Sequence, residues 1–280
     1  MSHKFSQRIG LTSREPIVQI EDMSLALRNS LWNVLYQRVE ASNEQRWKPF
    51  ARLVASDFLK VPSDEIPMYF YQCRDWVKDA FFRLTWYQVY DFVEFVVHEA
   101  YSMFLADKGP LIVHLNQVLE REGSGYRFIA GILSPISNPS ELAAVSEAYA
   151  TTARVGLSGA NEHLSTALAL LSKRPDPDYR NSIKESISSI ESIVKSISGE
   201  TSGGLAGALD AVSAKIPIHG ALRSALKSLY GYTSDDSGIR HAILEAPNVG
   251  FDEAKFMLVS CSAFANFLIA KAEQAGLLRS

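Results

Sequence analysis

Apolar residues recur at steps of three and four along most of the chain. In "LALRNSLWNVLYQRV" the positions Leu27, Leu31, Val34, Leu35 and Val39 predict a one-sided helix, with Asp22 or Ser24 placed to cap its start. The same spacing predicts helices over 45–59, stopping before Pro62, and over 68–83, 85–105 and 111–121. The residues up to Ile20 carry scattered apolar side chains and read as an extended arm laid on this first group. "YRFIA" and "ILSPI" break the helical period around Gly131, which predicts a small β-hairpin. A new helix starts behind Asn138, Pro139 and Ser140, a strong N-terminal signal.

The glycines of "RVGLSGAN" then suggest a linker. Beyond it "NEHLSTALALLSK" is helical and ends at the two prolines of "RPDPD". Ile183, Ile187, Ile190, Val194 and Ile197 form a stripe behind a capping Asp178. The glycine-rich "SGETSGGLAG" reads as a flexible connection, followed by a helix around 222–230 and a short one carrying Arg240 and His241. The last helix has Ala254, Met257, Leu258, Cys261, Phe264, Ala265, Leu268 and Ala272 in one stripe, facing its own core or a second copy of the chain. The expectation is a mainly α protein with two helical domains, 1–152 with the hairpin and 153–280 as a four- or five-helix bundle.

Composition narrows the function classes. At 280 residues, 47% hydrophobic and a formal charge of -3, the chain is an ordinary globular mixture with no general attraction for nucleic acid. Any RNA contact must therefore be local. Cys73 and Cys261 are isolated, make no disulfide framework or zinc cluster, and read as buried free thiols. "MSHKFSQRIG" lacks the apolar stretch of a signal peptide, and charges interrupt the apolar region 81–105, so a cytoplasmic protein with no membrane span is expected.

Few motifs carry chemistry. "SGETSGGLAG" lacks the Gly-Lys-Ser/Thr of a phosphate-binding loop. No two histidines stand four apart on a helix, so neither a metal nor a cofactor is expected. His98 and His114 fall within helical patterns and read as structural. The aromatic run from Trp76 to Phe95 has core spacing, although exposed rings there would stack on bases. Arg240 and His241 stand apart, after "YTSDDSG" and before "AILEAP". At a helix start such a pair can hold a phosphate and move a proton without a metal. Equally, it can be a polar helix start paired with Asp235 or Asp236.

"FSQRIGL", "LRNSLWNVL", "VLEREGSGYRF", "HLSTALALLSKRPDPDYRNSIKESISSIESI", "LKSLYGYTSDDSGIRHAILE" and "DEAKFMLVSCSAFANFLI" resemble bacterial abortive-infection proteins of the AbiJ type. The resemblance implies an AbiJ-like N-terminal domain, a C-terminal HEPN-like domain and a role in antiphage defence. HEPN domains are helical bundles that often dimerise and often cut RNA. Their usual pattern is an arginine, a polar residue, and a histidine four to six residues after the arginine; this chain has none. His241 matches the position of the family's histidine, with Arg240 or Arg180 as its arginine. Arg180–Asn181 looks like the start of the pattern, but Glu185 and Ser186 stand where the histidine would be. Two readings follow from the resemblance. One is a metal-independent ribonuclease using His241 and Arg240, supported by Arg180, Asn181 and Glu185, with its site shared across a homodimer. The other is a silent module that binds RNA, a nucleotide, or a phage or defence-system protein.

Overall fold

The computed structural model describes residue 5 and residues 18–100, 109–173, 176–199, 205–234 and 249–278. The chain forms two compact units, Met1–Ser137 and Asn138–Ser280. Among the described residues the secondary structure is mainly α, with one two-stranded antiparallel hairpin.

In the first unit α1 (Leu25–Ser42) starts at Ser24, whose hydroxyl accepts from the Leu27 amide at 3.2 Å. Asp22 instead takes the Met23 amide at 2.7 Å. The helix predicted over 45–59 is a run of three pieces: a 3-10 turn (Glu44–Arg46), α2 (Trp47–Leu53) and a π-helical continuation (Val54–Leu59). Lys60, at φ 57, ends it. Next come α3 (Phe70–Arg83) and α4 (Trp86–Phe95), α4 continuing as a π turn over Val96–Ala100, and then α5 (Gly109–Arg121).

Trp32, Trp47, Phe50, Phe81 and Phe92 fill the core, in stacked and edge-on contacts of 5.5–6.4 Å. The aromatic run of α3 and α4 is thus largely interior, with Tyr87 exposed. Arg28 reaches from α1 to donate to the carbonyls of Phe82 and Leu84, at 3.1 and 2.7 Å, satisfying the open end of α3. At the described end of the N-terminal arm, Gln19 bridges to Ser124.

The hairpin pairs β1 (Arg127–Ile129) with β2 (Ile132–Ser134). Its two turn residues, Ala130 at φ 51 and Gly131 at φ 90, both take the left-handed backbone that a two-residue turn demands. Gly131 is required for a second reason: a Cβ there would stand 3.1 Å from the His98 ring. Glu94 accepts from the Leu133 amide at 2.6 Å, and burial raises its carboxyl above the usual range. His98 and Glu94 therefore serve the hairpin.

The second unit contains α6 (Pro139–Arg154), α7 (Ser158–Ser172), α8 (Tyr179–Ser198), α9 (Leu205–Lys215), α10 (Gly220–Ser234) and α11 (Phe251–Gln274). Asn138 caps α6 through the amides of Ser140 and Glu141, as its sequence suggests. By packing, α6 joins the second unit: Asn266 donates to the Ala144 carbonyl at 3.0 Å, and Arg154 forms a two-bond pair with Glu273. This packing division lies before α6, whereas the sequence-based division, between 152 and 153, falls in its last turn. Helix α9 is an addition to the sequence reading. Leu205, Ala208, Leu209 and Val212 bury a short face that the neighbouring glycines mask.

Helix α8 is the centre of this unit. One side of it, from Ile183 through Ile197, is buried against α7, α9 and α11. Among the described residues α11 is the one helix long and apolar enough to cross a membrane. Of its stripe, Ala254, Met257, Leu258, Cys261, Ala265, Leu268 and Ala272 are buried within the unit and face its own core, while Phe264 is half-buried.

Truncating Ile190, which is fully buried in α8, is expected to cost about 2–5 kcal/mol, read as a lowered midpoint in chemical denaturation of Ile190→Ala. Ala130→Gly is expected to stabilise the chain by up to about 1 kcal/mol in the same assay, because relieving the left-handed alanine outweighs the added chain entropy.

Candidate functional site

The first turns of α8 carry three of the residues singled out by sequence. Asp178 precedes the helix, and its carboxylate accepts from the Asn181 amide at 3.0 Å and from the Asn181 side chain at 2.7 Å. That side-chain bond is the largest cause holding the Asp178 carboxyl below its usual range, with a smaller contribution from the charge of Arg180. Asn181 is thereby engaged in the cap. Asn181 and Glu185 stand four residues apart and share a helix face, while Arg180 and Lys184 form a parallel pair of cations beside it.

Glu185 meets a residue that the sequence did not single out. His163 of α7 brings its Nδ1 to 2.6 Å from one Glu185 oxygen, and Lys184 lies 3.6 Å from the other. A carboxylate can only accept, so the bond puts the His163 proton on Nδ1 and leaves Nε2 as the acceptor of the neutral ring. The histidine side chain is 39% exposed and that of Glu185 17%. The position is fixed from below. One turn away on both helices, the buried Ser182 hydroxyl donates to the Ala167 carbonyl at 2.8 Å. Two links, Ser182 to Ala167 and Glu185 to His163, set the antiparallel register of α7 against α8. A histidine and a glutamate 22 residues apart on separate helices leave no local spacing signal, which is why the pair is not visible in the sequence.

Arg240 and His241 lie outside the described residues, as do Asp235 and Asp236. Among the sequence-singled residues, the described structure therefore gathers Arg180, Asn181 and Glu185 at one end of α8. Among the described residues no cluster of three or more histidine, cysteine, aspartate or glutamate side chains has a metal-binding arrangement. Cys73 and Cys261 are buried and free, and burial pushes the Cys261 thiol up to about 12, far from a reactive thiolate. A polar cleft of about 360 Å³ opens between α6 and α7, edged by Tyr149, Asn161, Glu162, Ser165 and Thr166. Nothing in these groups resembles a nucleotide-triphosphate cradle.

Residues 3–151 match the family model described as AbiJ N-terminal domain 4, which covers more than half of the chain. Comparison with curated proteins and with solved structures gives no match.

Asp178→Ala is expected to lower stability by about 1 kcal/mol at neutral pH through loss of the cap. The depressed carboxyl contributes stability that is present above the unfolded aspartate value of about 3.9 and is lost as pH falls through its lower folded value. The gap between wild type and variant, measured by denaturation across pH, should therefore narrow on acidification.

Proposed function

Because the chain belongs to the AbiJ N-terminal domain 4 family, we propose that it acts in antiphage abortive infection through its second helical unit, an HEPN-like module that cuts RNA without a metal ion. The family association is with abortive-infection defence, and that observation carries the reading. His241 exchanges the proton and Arg240 holds the phosphate. Arg180 adds a second cation, while Asn181 and Glu185 shape the end of α8. The chemistry asked of them is deprotonation of a ribose 2′-hydroxyl, stabilisation of a charged phosphorane and protonation of the leaving oxygen. General acid–base help contributes about 10²–10⁴-fold, and electrostatic stabilisation adds to it. In this reading the protein works in the cytoplasm, as a homodimer joined through its helical module, with the first unit sensing a phage or defence-system partner.

One observation favours a second reading. Asn181 is held in the cap by Asp178, so its side chain already has a structural partner. A module whose polar groups are committed in this way suits binding of RNA, a nucleotide or a protein better than catalysis.

The purified full chain incubated with mixed tRNA and total RNA in EDTA separates the two. Cleavage that disappears in His241→Ala and falls at least about 100-fold in Arg240→Ala supports the ribonuclease. Intact RNA with the wild type moves the assignment to the binding module.

A further inference from the structure

We propose that His163 is a catalytic residue of the second unit: a general base for RNA cleavage, positioned by Glu185, with Lys184 beside that glutamate. This assignment rests on the RNA-cleaving reading above and adds to it an imidazole from a different helix.

Three observations carry it. First, the 2.6 Å bond to Glu185 occupies Nδ1 and fixes the ring, which leaves Nε2 as the free basic nitrogen of a partly exposed side chain. A carboxylate behind an imidazole also stabilises the imidazolium that forms when Nε2 takes a proton. Second, the two oxygens of Glu185 hold His163 on one side and the Lys184 ammonium on the other, so a cation stands beside the base. Third, the pair rests on a rigid foundation. Ser182 ties α8 to α7 one turn away through a fully buried hydrogen bond, and sites on locked helices hold geometry better than sites on loops.

The substrate class is a single-stranded ribophosphodiester. The His163 Nε2 removes the 2′-hydroxyl proton, and O2′ forms a bond to the adjacent phosphorus as the P–O5′ bond breaks. The imidazolium gives that proton up to solvent as the departing O5′ takes one in return. The products are a 2′,3′-cyclic phosphate and a free 5′-hydroxyl, with no net uptake of water or protons. Lys184 offsets the charge that gathers on the non-bridging oxygens.

The simplest alternative makes the pair a staple between α7 and α8. His163→Gln separates the two, because glutamine still donates to Glu185 but cannot act as a base. The experiment follows RNA cleavage in EDTA by the full-length wild type, His163→Gln, His163→Ala with and without added free imidazole, Glu185→Gln and His241→Ala. Thermal midpoints are measured alongside. The expected result is a fall of at least about 100-fold in kcat for His163→Gln at an unchanged thermal midpoint. Free imidazole should partly restore His163→Ala, and Glu185→Gln should lose kcat with KM unchanged. Cleavage by His163→Gln near the wild-type rate overturns the assignment, makes the pair a staple and leaves the ribonuclease reading standing. Cleavage that survives in His241→Ala but not in His163→Gln upholds His163 and removes His241 instead. Intact RNA with the wild type removes the ribonuclease reading and this assignment together.

Discussion

A helix that buries hydroxyls must satisfy them, and α8 meets that demand along its whole inner side. Ser182, Ser186 and Ser189 are fully buried between the isoleucines. Left without partners, each would cost about 1–3 kcal/mol. Ser186 and Ser189 donate to carbonyls of their own helix, whereas Ser182 donates across to Ala167. Small side chains let neighbouring helices come close, and the intervening isoleucines fill what remains. The combination fixes both the spacing and the register of α7 on α8. Every polar group at the head of the helix inherits its position from that register.

The functional consequence lies in the contrast between the two sides of the same helix. The inner side is closed and fully bonded, while the head presents Arg180, Lys184, Glu185 and, from α7, His163. A charge pair at a half-exposed site adds little to stability, since solvent competes for both partners. The Glu185–His163 pair is therefore a weak stabiliser next to the isoleucine core. Its consequences are those of orientation: it decides which imidazole nitrogen carries the proton and where the other points.

Much of the fold could be read from period and punctuation. The stripe of Leu27, Leu31, Leu35 and Val39 is buried in α1, and Asn138, Pro139 and Ser140 do open α6. The hairpin was legible because Gly131 interrupts two apolar runs, and the glycine proves necessary for both its backbone and the His98 ring. Helix α9 was not legible, since its four buried positions are too few to outweigh the adjacent glycine-rich stretch. Nor does hydrophobic period say to which unit a helix belongs. Helix α6 follows the hairpin closely in sequence, yet Asn266 and Glu273 of α11 hold it. Arg180, Asn181 and Glu185 stand out in the sequence because they are local to one motif. His163 does not, because the contact that singles it out is tertiary.

The account turns on an imidazole cutting RNA without a metal, and the chemistry of the severed ends reports on that directly. RNA from cells expressing the chain during phage challenge would be mapped for the groups at newly formed termini. The account predicts 2′,3′-cyclic phosphates paired with 5′-hydroxyls. New termini bearing 3′-hydroxyls and 5′-phosphates, or no new termini at all, would contradict it.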